Sequence, residues 1–430
     1  MEKVTQSELL PGIRLCCVQT DKFRTGTFSA SFLRPLRQED AAKNALVMQV
    51  LARGCRAYPD MQRLRAACQE AYGAGVGPEL RQYGEVMALG FSASFPDDPW
   101  LPEGSRNLQR VIRLVSDLCL DPDTRGGLLR SEYVQSERKN LRDRILASVN
   151  DKRSYAQFRA RALFCRDEDY GVYPLGSPED TDKLSHLVMT RHYQQVLTAS
   201  PVRLFCCSSA PFEQVRDAVL DSFLTLSGTA ERVMPETEIR ESAAVLRSET
   251  EYLDVEQGNL VLCCRLGGAV APQAQPVLEV FNRLYGGGSP ASRLFREVRE
   301  KRSLCYNISS AYDSHKAVFT VSAGISFEKR DEVTEAILEA LDEVRMGAFS
   351  DRDLETARSA AANAYRLLGD SGAGLDGFCL GQDLLDSTAR PEELAALALE
   401  VDREEVACMA ERIQPELVYF LRGGEKEAQA

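Results

Sequence analysis

Three short segments of the same texture recur along the chain: GIRLCCVQT (Gly12 to Thr20), PVRLFCCSS (Pro201 to Ser209) and NLVLCCRLG (Asn259 to Gly267). Each is an apolar run that carries an adjacent cysteine pair, namely Cys16-Cys17, Cys206-Cys207 and Cys263-Cys264. Each reads as a short buried strand opening or closing a unit. The first begins a half of about two hundred residues, the second nearly ends it, and the third opens another half of similar length. The chain is therefore expected to fold as two duplicated halves that share pattern more than identity.

Each half repeats one order of elements. In the first, a strand at Gly26 to Leu33 leads into a helix at Asp40 to Arg53. A helix at Met61 to Tyr72, strands at Gln82 to Phe95 and helices at Arg106 to Leu118, Leu128 to Leu146, Ser154 to Phe164 and Thr181 to Leu197 follow. The second runs strand, helix at Gln273 to Leu284, glycines, helix, strands at Cys305 to Ile325, then helices from Lys329 onward. Strands and helices grouped this way give an α+β two-layer architecture in each half, a sheet covered on one face by helices. The expected domains are 1–227 and 250–422, joined by the polar linker Gly228 to Glu249 and followed by a disordered tail, 423–430, GGEKEAQA.

Composition narrows the function classes. With 430 residues the chain exceeds what one core usually holds. A net charge of -12 argues against a nucleic-acid or anionic-membrane partner, since either needs clustered Lys and Arg. No apolar run approaches the eighteen or so residues that cross a bilayer, and the N-terminus lacks a signal-peptide pattern. A cytoplasmic location is expected. The 13 cysteines show no CxxC spacing and read as buried reduced thiols. None has an identifiable histidine partner, so a cysteine nucleophile ranks last among the possible chemistries.

The densest local signal is LYGGGSPASRLFREVREKRSLCY, from Leu284 to Tyr306. Gly286, Gly287 and Gly288 permit close backbone approach. Ser289 and Pro290 form a helix start. Ala291, Leu294, Phe295 and Val298 fall at helical spacing and are expected to face the core, with Arg299 at the rim of that stripe. Beyond Arg302 the pattern alternates, placing Leu304, Tyr306 and Ile308 on one side of a strand. Arg299 and Tyr306 would then converge, and a guanidinium beside a phenol hydroxyl holds a peptide carbonyl or an oxyanion well. Taken alone, REVREKR reads first as a solvated helix face. A phosphate loop is disfavoured because GK[ST] does not follow the glycines.

The run GGGSPASRLFREVREKRSLCYNISSAY closely resembles the C-terminal half of the M16 metallopeptidases (the insulinase, pitrilysin and mitochondrial processing peptidase group), which read GGGMSSRLFxxVREKxGLAY there. GVYPLGSPEDTDKL (Gly171 to Leu184) resembles the family's HPLGxPxxGT segment, so the resemblance spans essentially the whole chain. It implies two α+β halves that close around an extended peptide, with Arg299 and Tyr306 binding the substrate backbone near the scissile bond and the neighbouring glycines 286 to 288 sharing that role.

Members that cleave peptides carry HxxEH on the first long helix, two zinc-binding histidines and a general-base glutamate. This chain has three histidines, His186, His192 and His315, none in that helix. Aligned by its terminal glycine, the helix Ala41 to Gly54 puts Ala45, Met48 and Gln49 at the HxxEH positions. Glu137 falls near the third ligand's place and is expected to be an exposed glutamate paired with an arginine. His192 reads as an ordinary surface or core residue and His315 as a solvent-exposed turn residue.

The resemblance thus implies a pseudoenzyme: no metal and no cofactor in this chain, zinc in an HxxEH-bearing M16 partner, and an extended or precursor peptide as substrate. Homodimer and heterodimer stay open, with the heterodimer preferred. QVLARGCRAYPDMQRLRAACQEAYGA resembles bacterial subunits that sit beside an active M16 neighbour, among them the elongation factor P 5-aminopentanol modification-associated proteins. The alternative is a stand-alone peptide-binding or scaffold protein. A neighbouring gene for an HxxEH paralogue discriminates the two.

Overall fold

In the computed structural model, which describes residues 3–226 and 232–424, the adjacent cysteines sit on sheet strands and split between their two faces. β1 (Lys3–Leu10), β2 (Ile13–Gln19), β3 (Thr25–Pro35), β4 (Gly75–Tyr83), β5 (Val86–Pro96) and β8 (Val202–Ser208) form one sheet. Its order is β1-β2-β8-β3-β5-β4. β6 (Thr124–Arg125) and β7 (Leu128–Leu129) make a separate small hairpin. On β2 and β8, Ile13, Leu15, Cys17, Leu204 and Cys206 enter the main core, whereas Val18, Phe205 and Cys207 pack on the opposite face with Cys16 beside them. Alternation of this kind is what a strand's two-residue period dictates.

The main face of this sheet is covered by the helices Gln38–Leu51, Asn107–Leu120, His186–Ala199 and Phe212–Phe223, whose Leu46, Val47, Val111, Ile112, Val115, Val196 and Val219 join the core. From Ala41 onward the helix Gln38–Leu51 is buried on most sides, and Ala41, Ala45, Leu46, Met48 and Leu51 all lie in the core.

A second sheet, in the order β11-β12-β10-β13-β9, comprises β9 (Arg247–Tyr252), β10 (Gly258–Arg265), β11 (Cys305–Asp313), β12 (Val318–Ile325) and β13 (Gln414–Arg422). β2 pairs parallel with β8, and β9 pairs parallel with β13; the strands that follow on that side are antiparallel in both sheets. The duplication is therefore real at the level of topology, with one correction. β10, which carries Cys263-Cys264, takes the place of β3, and the place of β2 falls to β9. Its sequence, RSETEY, is polar because this edge strand is largely exposed, so it resembles linker.

The chain divides into two units, and neither is continuous in sequence. One comprises Met1–Leu146, Val172–Glu236 and Asp370–Gly381; the other comprises Ala147–Gly171, Thr237–Gly369 and Gln382–Ala430. In each unit the second face of the sheet is covered by a segment from the other half of the sequence. In the first, Leu375 and Cys379 pack on Val18, Phe205 and Cys207. Asp376 there accepts hydrogen bonds from Ser29 Oγ at 2.9 Å and Arg81 Nη1 at 3.0 Å.

In the second unit, Ala156, Ala160 and Phe164 of the helix Lys152–Phe164 pack on Val261, Cys263, Leu417, Tyr419 and Leu421. The same segment ends in a buried charge cluster. Glu168 takes two hydrogen bonds from Arg265, at 2.6 and 3.1 Å, and an ion pair from Lys316 at 2.7 Å. Arg265 also reaches Glu416 at 3.1 Å and stacks 4.0 Å over the Phe164 ring. The side chains of Glu168 and Lys316 are fully buried.

Other boundaries moved for local reasons. The strands expected at Gln82 to Phe95 are a hairpin, β4 and β5, that starts at Gly75, and the helix expected at Thr181 to Leu197 is broken into Pro178–Asp182 and His186–Ala199 by a Ser185 N-cap. Residues 227–231 of the expected linker and 425–430 of the expected tail lie outside the described residues. Among the described residues, no helix is long and apolar enough to cross a membrane.

Candidate substrate-binding site

The glycine and arginine stretch is tightly built. The helix Gln275–Tyr285 ends on Gly286 and Gly287, whose N–H groups both donate to the Asn282 carbonyl, at 2.9 and 2.7 Å. The Gly286 carbonyl then accepts from Ser310 N–H on β11 at 2.6 Å. A Cβ on Gly286 would lie 2.6 Å from Leu294 Cδ1 and 2.8 Å from Ser310 Oγ. Gly286 is thus required for packing, while Gly288, at φ +78°, is exposed with open space around it.

Helical structure begins at Arg293 rather than at Pro290, which lies in a turn. Phe295–Lys301 is a π-helix, a form that recurs at functional sites. Leu294 and Val298 are buried and Phe295 is half-buried, but Ala291 is exposed, against expectation, because it precedes the first helical turn.

The basic side chains of this stretch separate into two kinds. Arg293 pairs with Glu343, Arg296 with Asp353 at 2.8 Å, Lys301 with Glu297 at 2.9 Å and Arg302 with Glu339 at 2.7 Å. Among the described residues Arg299 has no carboxylate partner; its guanidinium lies exposed, 4.6 Å over the Phe295 ring. A purely solvated charge face does not require this exception.

Tyr306 departs from the expected alternation. Cys305 pairs with Ile325 and Asn307 with Gly324, which leaves Tyr306 as the extra residue of a β-bulge. Bulges re-aim a side chain. Leu304 and Ile308 consequently point into the core while Tyr306 is 62% exposed. The junction between π-helix and strand is closed by Leu304 N–H donating to the Val298 carbonyl at 3.0 Å. Burial pushes the Cys305 thiol up to about 11, and the nearby Arg299 charge opposes that rise. Arg299 and Tyr306 therefore border the same start of β11, both open to solvent.

Ser303, between them, sits at φ 51°. The M16 motif has glycine at this position. A non-glycine residue there carries left-handed strain of about 1 kcal/mol. Ser303→Gly is expected to raise stability by about 1 kcal/mol, read as a shift in the urea midpoint.

At the positions matching HxxEH, the structure puts Ala45 and Met48 in the core, 5% and 3% exposed, and Gln49 half-buried. Glu137 is buried rather than exposed. Its Oε1 accepts from Arg53 Nη1 at 3.1 Å and its Oε2 from Asn140 Nδ2 at 3.1 Å. These residues do not fit zinc: Ala45 offers no donor, Met48 faces apolar side chains, and an arginine already neutralises the one carboxylate. Among the described residues, no group of three or more His, Cys, Asp or Glu is arranged to hold a metal.

His192 is fully buried, and its Nε2–H donates to Asn44 Oδ1 of the helix Gln38–Leu51 at 2.9 Å. Nothing in the sequence pointed to this pair. Burial pushes the imidazole down to about 4, with the Asp40 carboxylate opposing and Arg34 and Lys43 adding to the fall. A histidine with a depressed folded pKa stabilises above its unfolded value of about 6.5 and loses that contribution as pH falls toward the folded value. Stability is expected to drop by roughly 1 to 2 kcal/mol between pH 6.5 and 5, and His192→Gln should flatten that slope in urea titrations. His315 is half-buried rather than solvent-exposed, 3.6 Å from Asp313.

With this geometry in view, the comparisons with known proteins are direct. Residues 183–361 match the family described as the Peptidase M16 inactive domain. Over 423 residues the chain is 29% identical to the probable inactive metalloprotease YmfF of Bacillus subtilis, covering 96% of each. The chain is similar to M16-type inactive peptidases along nearly its whole length. A conserved protein from Enterococcus faecalis superposes with a TM-score of 0.88 at 23% identity over 99% of both chains. An M16 inactive-domain protein from Pseudomonas fluorescens does so with 0.79 at 13% over all of both. At such identities the solved structures establish the M16 fold, two halves of sheet and helices.

Proposed function

We propose that this chain is a non-catalytic peptide-binding subunit that works beside an HxxEH-bearing M16 partner. The observation that carries the reading is the contrast within one stretch: four basic residues are tied to carboxylates while Arg299 has none among the described residues, next to a tyrosine that a bulge turns outward. Both side chains present hydrogen-bond donors, and a peptide carbonyl or a developing oxyanion is their natural acceptor. An extended peptide in this role would engage main-chain groups at a sheet edge, and β11 is such an edge.

The partner would supply the zinc and the general base, since the residues at the corresponding positions here cannot. The relative named a probable inactive metalloprotease is in keeping with that division of labour. Co-expression with the HxxEH-bearing M16 chain of the same genome, followed by light scattering on the purified mixture, tests the partnership. A 1:1 heterodimer is expected. Two separately eluting species at micromolar concentration would instead favour a stand-alone peptide-binding protein.

A further inference from the structure

Of the 13 cysteines nine are buried, and only Cys16, Cys68, Cys379 and Cys408 reach solvent. Two of those four meet. Cys16, on β2, and Cys379, on the helix Gly372–Asp383, pack on one patch built from Val18, Phe205, Cys207 and Leu375. β2 turns Cys16 and Val18 to this face because they stand two positions apart, and Cys379 follows Leu375 by one helical turn. The two thiols share a hydrogen bond, although they come from opposite ends of the chain.

The surroundings give the two sulfurs unequal roles. Gln6, which stands opposite Cys16 on the edge strand β1, donates from Nε2 to Cys16 Sγ at 3.9 Å. The hydrogen bond with Cys16, together with burial, pushes the Cys379 thiol well above its ordinary value. Cys379 therefore keeps its proton and donates it, while Cys16, with two donors on its sulfur, carries the thiolate character that an oxidant attacks. Neighbouring thiols do not compete. Cys17 and Cys206 also stand opposite each other, on β2 and β8, but both are buried, and Cys17 points to the other face of the sheet from Cys16.

We propose that Cys16 and Cys379 form a reversible oxidation site, closed to a disulfide by a peroxide and reopened by a thiol reductant. Cys16 Sγ attacks one peroxide oxygen: an S–O bond forms, the O–O bond breaks, and the thiol proton leaves with the released oxygen as water. Cys379 Sγ then attacks the sulfenic sulfur: the S–S bond forms, the S–O bond breaks, and a second water carries off the Cys379 proton. Two thiols lose two electrons and the peroxide gains them. The bond staples the segment Asp370–Gly381 to a sheet built from the other half of the sequence, where Leu375 packing and the Asp376 hydrogen bonds already hold it. It does so whether or not the chain binds peptide.

The test treats the full reduced chain with a few equivalents of hydrogen peroxide and maps the products by tryptic digestion and mass spectrometry without reduction. One cross-link between the fragments carrying Cys16 and Cys379 is expected, reversed by dithiothreitol. Cys17→Ala should keep it and Cys16→Ser should lose it, which assigns the sulfur within the adjacent pair. In Cys379→Ser, Cys16 should stop at the sulfenic acid and be trapped by dimedone. Both serine changes are near-isosteric at half-exposed positions, so folding is preserved. In the cross-linked chain, the backbone amides of the helix Gly372–Asp383 are expected to exchange at least about tenfold more slowly than in the reduced chain. A cross-link that survives in Cys16→Ser, or none under peroxide that oxidises the exposed Cys408, would overturn the site. Unchanged amide exchange in the cross-linked chain would overturn the staple.

Discussion

Glu168→Gln is expected to lower the unfolding free energy by about 3 to 5 kcal/mol, the usual cost of leaving a buried charge without its counterion. Glu168 is the hub of its cluster: Arg265 and Lys316 both converge on it, with side chains only 1% and 0% exposed. Burial alone would raise its carboxyl pKa, but hydrogen bonds from Arg265 and Lys316 outweigh this and hold it below the ordinary range. Its stabilisation is therefore present above the unfolded glutamate value and lost as pH falls through the lowered folded one. Removing the charge takes one carboxylate from Arg265, Lys316 and Arg240 at once, and Arg265 keeps its pair with Glu416. The consequence reaches further than one pair, because Glu168 anchors the segment Ala147–Gly171 to a sheet built from the other half of the sequence. Chemical denaturation should show the loss, and a change below about 1 kcal/mol would mean that the helix Lys152–Phe164 is held by apolar packing alone.

Arg299→Ala combined with Tyr306→Phe should have the opposite profile. Both side chains are exposed and Arg299 lacks a carboxylate partner among the described residues, so stability is expected to move by less than about 0.5 kcal/mol. Peptide turnover in a reconstituted pair with the HxxEH-bearing partner should fall by the equivalent of roughly 2 to 4 kcal/mol, the cost of removing oxyanion donors. Arg296→Ala is the internal control. It breaks the ion pair with Asp353 and should cost stability without costing turnover. A double variant that kept full turnover would reduce Arg299 and Tyr306 to ordinary surface residues.

What was legible in the sequence follows from what local patterns encode. The cysteine pairs announced their strands because burial on both faces leaves an unbroken apolar run, and their opposite orientations follow from strand geometry. β1 and β9 were missed because exposed strands carry no such run. The exchange of Ala147–Gly171 and Asp370–Gly381 between units was invisible because helical periodicity shows that a face is buried, not which sheet buries it. Glu168, within RDEDYG, looked like part of a charged loop and gave no sign of burial.

The candidate site was half legible. Motif spacing named Arg299 and Tyr306, yet strict alternation predicted the wrong neighbours for Tyr306, since a bulge inserts a residue that the period cannot register. The left-handed Ser303 was detectable only as a departure from glycine in the motif.

The central claim is that this chain binds peptide while another chain cleaves it. The direct measurement is zinc content and cleavage of a quenched fluorescent peptide by the purified chain alone, by the HxxEH-bearing partner alone and by the two mixed. The account predicts that the isolated chain shows neither stoichiometric zinc nor turnover, and that mixing yields cleavage well above that of the partner alone. Stoichiometric zinc together with cleavage by the isolated chain would contradict it.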